Sequence, residues 1–391
     1  MEEAFTIDYN ETLLLSVAGG LFLIQVIYYA SLYLRIPRRR KAVEQGDIAF
    51  QTDCPPLSVI LYAREACEEL KRNLPALLVQ DYPTFEVIVI TDGADDGTVD
   101  YLNQLQSQCP YLYHSFIPDS SRYISHKKLG LTLGIKASKY DWLVMTDPDC
   151  APASDQWLRL LARNFTAGTD VVLGYSGYEQ GKGWLPKRIA YDNLFQAMRY
   201  LGFALGGHPY LGIGKNLAYR KEIFYQNKGF SEHLNLLRGD DDLFVNRVAT
   251  RDNTRVETDI KSVTRRLPGI RAKDWREEKI GRASTARLYQ GWQRYAAGWE
   301  TTTRLLFYAA WTSTLVTGIL QRHWLVASLA LVLFLLRLVL QMQVVNKNAQ
   351  ALGDPRRYYA SLPVFDILQP LQSLRWKVYC MLRRKSEFLR K

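Results

Sequence analysis

The stretch D-W-L-V-M-T-D-P-D-C, residues 141–150, decides how this chain is read. The apolar run 142–145 has the length of a short buried strand and leads directly into T-D-P-D-C, where Asp147 and Asp149 flank a rigid proline. A packed core has no use for two carboxylates at a strand end. Hard divalent cations and hydroxyl-rich ligands do. A second acidic cluster, G-D-D-D at 239–242, follows about ninety residues later, and long apolar segments lie near both ends of the chain.

Working upstream, 57–61, 85–90 and 112–116 read as strands, and 68–79, 99–106 and 127–138 as helices. The first helix carries Leu70, Leu74, Leu77 and Leu78 on one face. Alternating strands and helices imply an α/β domain of parallel β-α-β units, with helices on both faces of one sheet. Ligands of such sheets bind at the carboxyl ends of the strands. Arg64, Asp92, Asp147 and Asp149 each fall just past an expected strand, so they share one rim.

Composition limits the class. The chain has 391 residues, 48% hydrophobic and 23% charged, which excludes a disordered protein and allows one large domain with attachments. The net charge of +11 is concentrated in 35–41, 265–279 and 383–391. The first and last clusters are read as membrane-flanking charge. No zinc-finger or RNA-binding signature accompanies them, so no nucleic-acid partner is expected. The five cysteines are scattered, without a C-x-x-C pair, as expected of reduced thiols in a cytoplasmic domain. Cys150 is read as a small packing residue.

The apolar segments divide the rest. Residues 12–34 contain no charge over 23 positions, enough to cross a bilayer, and read as an uncleaved anchor. Glu2, Glu3, Asp8 and Glu11 precede this span, and Arg35, Arg38, Arg39, Arg40 and Lys41 follow it. The positive-inside rule then makes 1–11 an extracytoplasmic tail, 35–54 a basic linker and 55–300 a cytoplasmic domain. Residues 301–345 read as a transmembrane helical hairpin turning at Arg322 and His323. Its second arm is interrupted by Arg337, expected to face protein or to snorkel. A buried hairpin of a soluble domain is the alternative. Residues 346–391 form a basic segment in which 361–382, broken by Pro363, Asp366, Pro370, Arg375 and Lys377, reads as an amphipathic interfacial helix.

Four stretches together resemble family-2 glycosyltransferases of the GT-A fold: L-S-V-I-L-Y-A-R-E-A (57–66), Q-D-Y-P-T-F-E-V-I-V-I-T-D-G-A-D-D-G-T (80–98), K-K-L-G-L-T-L-G-I-K-A-S-K-Y-D-W-L-V-M-T-D-P-D-C (127–150) and R-G-D-D-D-L-F-V-N-R-V-A (238–249). The resemblance covers roughly 55–300. It implies a Rossmann-like nucleotide-sugar-binding domain flanked by transmembrane helices. The implied localisation is integral to the membrane, a bacterial inner membrane, with a cytoplasmic active site.

The resemblance also implies roles. Asp149 would hold Mg²⁺ or Mn²⁺, and Asp147 the ribose or the same metal. Asp92 would bond the nucleotide base, with Arg64 beside it; Thr91 stands where relatives often have an acid. Lys127 and Lys128 are readable as phosphate contacts or as solvated residues, and Lys128 is taken as the donor contact. The turn 95–97 is readable as a helix cap. Aligning G-D-D-D with the family's acidic motif makes Asp241 the catalytic base, with Asp240 orienting the acceptor and Asp242 the remaining candidate. Lys279 and Arg282 would meet phosphate oxygens, although Gly281 stands where relatives carry the arginine of Q-x-x-R-W. Gly212 and 214–220 resemble the acceptor-side strand, and His208 is structural or lines the acceptor. The implied activity is inverting transfer from a nucleotide sugar, UDP-linked, to a hydroxyl of a lipid or glycan acceptor. A processive polysaccharide synthase and an inactive nucleotide-sugar-binding scaffold are the other classes.

Overall fold

The structure is a computed structural model that describes residues 8–93, 96–118, 125–267 and 271–382. The strands are β1 Leu57–Arg64, β2 Phe85–Asp92, β3 Leu112–Phe116, β4 Trp142–Met145, β5 Cys150–Pro152, β6 Val171–Leu173, β7 Ser176–Tyr178, β8 Leu217–Arg220, β9 Thr254–Val256 and β10 Thr264–Arg266. The helices are α1 Tyr9–Tyr28, α2 Arg35–Glu44, α3 Cys67–Leu78, α4 Thr98–Gln106, α5 His126–Ala137, α6 Trp157–Ala162, α7 Trp184–Leu205, α8 Lys221–Gln226, α9 Asp242–Val248, α10 Ala272–Thr285, α11 Gln293–Leu320, α12 Trp324–Ala351 and α13 Leu362–Leu382.

Seven strands make the main sheet, in the order β3-β2-β1-β4-β8-β6-β9. The first four are parallel, as the alternating pattern predicts. β8 then runs antiparallel to both β4 and β6, so the sheet is mixed and not purely parallel. β8 follows α7 in the chain and enters the sheet between β4 and β6. A second sheet, β5-β10-β7, stands beside the rim.

β1 and β4 are buried on both faces, which is why they read as continuous apolar runs. The two-residue period assigns their side chains. Val59, Leu61, Trp142 and Val144 point into one core with Leu70, Leu74 and Trp157. Ile60, Leu143 and Met145 point into the other with α5 and α7 residues. Trp142 stacks on Phe165 with ring centroids 3.6 Å apart.

The terminal helices pack together. α1 continues through one wider turn, Tyr29–Tyr33, into α2, so the first part of the expected 35–54 linker is helical. The combined helix, Tyr9–Glu44, and α12 are long and apolar enough to cross a membrane, by length and composition alone. α11, also expected to span, is more polar, with Glu300, Arg304 and several threonines, and does not join them among the described residues. α1 runs beside α11: Gln25 donates to Thr303 at 2.8 Å and Tyr28 to the Ala296 carbonyl at 2.9 Å. Arg337 faces protein, donating to Asp366 of α13 and to the Tyr308 hydroxyl, each at 2.8 Å. Glu2, Glu3 and the basic residues 383–391 lie outside the described residues.

Candidate active site

The rim is built by register. β1 and β2 pair so that Arg64 stands opposite Asp92, with Arg64 Nε 3.9 Å from the carboxylate. Asp92 accepts a 2.5 Å hydrogen bond from the Tyr62 hydroxyl, and His126 Nδ1 lies 2.9 Å from its other oxygen. Burial pushes this carboxyl up, but the bonds from Tyr62 and His126 outweigh it and hold it below the usual range. Asp92 is therefore an ionised acceptor at the sheet rim. Asp96 serves the turn, accepting from the backbone N–H groups of Cys67 and Thr98 at 3.1 Å. Asp95 lies outside the described residues.

Two residues past β4, Asp147 accepts from Lys127 Nζ at 3.0 Å, and Lys215 Nζ stands 3.9 Å from its other oxygen. Burial raises the Asp147 carboxyl, yet Lys127 and Lys215 overrule it and hold it at about 2. Asp149 pairs with Arg266 of β10, whose Nε lies 2.7 Å from Oδ2. β10 pairs antiparallel with β5, placing Arg266 opposite Cys150. The Asn73 amide, donating to the Pro148 carbonyl at 2.8 Å, fixes the loop between the two aspartates.

The second acidic cluster turns on Gly239, whose φ of 102° is a conformation that side chains resist. Asp241 caps α9. Its Oδ1 accepts from the Asp242 N–H at 2.7 Å and its Oδ2 from the Gly214 N–H at 2.9 Å. Burial, then the charges of Asp240 and Asp242, push the Asp241 carboxyl up to about 6. Lys127 bridges the two acidic clusters, with Nζ 3.4 Å from Asp240. One pocket is lined by Lys127, Thr146, Asp147, Gly214, Asp240 and Asp241.

Three expected site residues have other duties. Asp242 is buried and faces away, accepting from the hydroxyls of Thr285 and Tyr289, the latter at 2.7 Å, so it ties α9 to α10 and is not placed to act as a base. Lys128 is 1% exposed and donates to the carbonyls of His233, Leu236 and Arg238 at 2.5, 2.9 and 2.8 Å. It anchors the loop leading to Asp240 and has no donor left for a phosphate. Lys279 pairs with Asp192 on α7 and not with the rim. Arg282 stays near the site: it donates to Glu278 at 3.0 Å, and its charge pulls on Asp241.

Sequence reasoning missed Lys215, Arg266, Glu278, His126 and Tyr62. Lys215 Nζ is 3.9 Å from Glu278 as well as from Asp147, and Arg266 Nη1 is 3.2 Å from Glu278. Burial works against the Glu278 charge, but Lys215, Arg282 and Arg266 hold its carboxyl well below the usual range. His208 packs its ring edge against Trp292, centroids 5.2 Å apart.

The mixed sheet, with aspartates at the carboxyl ends of its parallel strands, is GT-A-like. Residues 58–227 match the profile of Glycosyl transferase family 2, so the chain carries a family 2 glycosyltransferase domain. Its fold is similar to that of the mannosyltransferase PcManGT from Pyrobaculum calidifontis, solved in complex with GDP-Man and Mn²⁺. The TM-score is 0.55 at 16% identity, over 93% of this chain and 98% of that one. Residues 1–349 of TarS from S. aureus align at a TM-score of 0.43 and 17% identity, over 84% of this chain and 93% of that one. The same protein in complex with UDP-GlcNAc gives 0.42 and 14%, over 78% and 93%. No curated protein matches the chain.

Proposed function

We propose that this chain is a membrane-anchored, inverting glycosyltransferase acting at the cytoplasmic face, and that its acceptor is a hydroxyl of a lipid or glycan. The observation that carries the reading is the shared pocket, in which Asp147 and Asp241 face one space. In the transfer, the acceptor O–H gives its proton to Asp241 as its oxygen bonds the anomeric carbon, and the bond to the diphosphate breaks on the opposite side. One base suffices for this. A carboxyl raised to about 6 is ionised at neutral pH yet basic enough to accept a proton. Lys215, Arg266 and Arg282 supply positive charge for the departing diphosphate.

The residues fit a hard divalent cation. Asp149 has a side chain 36% exposed, and its Oδ1 meets the weakly held thiol of Cys150 at 3.3 Å. Asp149, with Asp147 beside it, would hold Mg²⁺ or Mn²⁺, which when bound neutralises charge on the diphosphate. Asp92 and Arg64 would receive the nucleotide base. UDP-linked sugars are the first donors to test, and GDP-linked sugars the second, since the mannosyltransferase of similar fold carries GDP-Man.

Several features support membrane anchoring. Trp299 at 55% exposure and Trp324 at 58% stand near the two ends of the apolar part of the hairpin, about 30 Å of helix apart, the thickness of a hydrocarbon core. At the far end His323 meets Glu11 at 2.8 Å, and the arginines of α2 lie at the domain end. α13 leaves Val364, Ile367, Leu371, Leu374, Val378 and Met381 exposed along one stripe, which suits a helix lying in the interface. It packs against α10, the helix that bears Glu278 and Arg282, so a lipid-borne acceptor would reach the site along the membrane surface.

The test is release of nucleoside diphosphate by the full chain in nanodiscs, over a panel of nucleotide sugars. Binding of nucleoside diphosphate with no turnover of any donor would favour the scaffold reading instead. Orientation is tested by cysteine reporters labelled from outside intact cells; labelling near Gly46 but not near Asn10 would invert it.

A further inference from the structure

Arg266 is unusually constrained for a residue beside a metal-binding carboxylate. Its side chain is 13% exposed. Nε donates to Asp149 at 2.7 Å, and Nη1 donates to the Tyr178 hydroxyl at 2.8 Å and to Glu278 at 3.2 Å. Its Cζ lies 5.3 Å from the centre of the Tyr178 ring. The charges alternate along the rim: Asp147, Lys215, Glu278, Arg266, Asp149. In this arrangement Asp149 Oδ2 is already occupied by a guanidinium.

A divalent cation on Asp149 Oδ1 would sit across a single carboxylate from the guanidinium that holds Oδ2. Positive charges that share one carboxylate repel each other. A diphosphate offers the guanidinium fork a better partner than a single carboxylate, with more charge and more acceptor oxygens. We propose that Arg266 is a latch. Its resting partner is Asp149. When the donor arrives, Arg266 releases Asp149 to the cation and moves its charge to the diphosphate. Metal and nucleoside diphosphate then bind as one coupled unit, and neither binds well alone. This rests on the reading of Asp149 as the metal-holding residue.

The experiment measures Mn²⁺ binding to the full chain by electron paramagnetic resonance, with and without nucleoside diphosphate, corrected for Mn²⁺ bound to free nucleotide. In the unaltered protein, nucleoside diphosphate should tighten Mn²⁺ binding by about tenfold or more, within the usual range of coupling between sites. Arg266→Gln should tighten Mn²⁺ binding to the nucleotide-free protein by about tenfold and weaken nucleoside diphosphate binding, so that the coupling collapses. Arg266→Lys, which keeps the charge but loses the fork, should fall between the two. It serves as the test should the glutamine variant melt early. Arg265→Gln is the control, because Arg265 points to the other face of β10 and donates to the Gly353 carbonyl at 2.7 Å. Unchanged nucleotide-free Mn²⁺ affinity in both Arg266 variants would overturn the latch. Mn²⁺ binding that survives Asp149→Asn would instead overturn the metal reading beneath it.

Discussion

Asp241→Asn should make the protein more stable at alkaline pH while removing its activity. In the folded chain, burial and the charges of Asp240 and Asp242 raise the Asp241 carboxyl from 3.8 to about 6. A carboxyl raised in this way contributes fully below its unfolded pKa, and that contribution is lost as pH rises through the folded value. A shift of about two units at about 1.4 kcal/mol each means that ionised Asp241 costs the fold about 3 kcal/mol at pH 8. Asparagine resembles the protonated acid, with one oxygen for the N–H groups of Gly214 and Asp242 that Asp241 now bonds. Below pH 4 the two proteins should therefore melt alike, to within about 1 kcal/mol. By pH 8 the variant should be ahead by about 2–3 kcal/mol, or several degrees in Tm for a domain of this size. Thermal melts of both full-length proteins in the same detergent, from pH 4 to 8, read the difference directly. A difference that does not grow between pH 4 and 7, or a variant that melts lower at pH 8, refutes the claim that Asp241 is held ionised at a cost.

Three more perturbations test other parts of the account. Asp92→Ala removes the acceptor held by Tyr62 and His126 and should weaken nucleoside diphosphate binding about tenfold, by titration calorimetry, with the fold intact. Gly174→Ala would put a methyl group 2.5 Å from the Asn216 amide, which bonds the carbonyls of Tyr175 and Ser262 at 2.8 Å. It should cost about 1–3 kcal/mol of stability and displace neighbouring Lys215, read as a lower Tm together with lost turnover. Asp366→Asn leaves Arg304 and Arg337 without their buried counter-ion and should cost about 3–5 kcal/mol, seen as early melting in detergent.

The parts legible in the sequence are those where burial and period act together. V-I-V-I-T-D and W-L-V-M-T-D announce parallel strands with aspartates at their ends, because strands covered on both faces must be apolar until they leave the sheet. The cations that balance those aspartates were not legible. Arg266 lies on a three-residue strand and Lys215 just before a four-residue one, too short to show alternation, and T-R-R reads as one more basic run. Adjacent residues were the other obstacle. Lys127 and Lys128 point about 100° apart on α5, and nothing in K-K says which meets the rim. The same holds in G-D-D-D, where the turn at Gly239 sends Asp242 toward Tyr289 and leaves Asp241 in the pocket. β8 runs antiparallel to strands distant from it in sequence, a pairing that a local pattern does not record.

The central claim is that Asp241 removes the acceptor proton in a pocket where donor binding belongs to other residues. The decisive measurement sets transfer against binding in one variant: nucleoside diphosphate affinity by calorimetry with Mn²⁺, beside turnover of the active donor. Asp241→Asn should bind nucleoside diphosphate within about threefold of the unaltered protein while losing transfer by a hundred- to ten-thousand-fold, roughly the range for a lost general base. Near-normal transfer by Asp241→Asn would contradict the account.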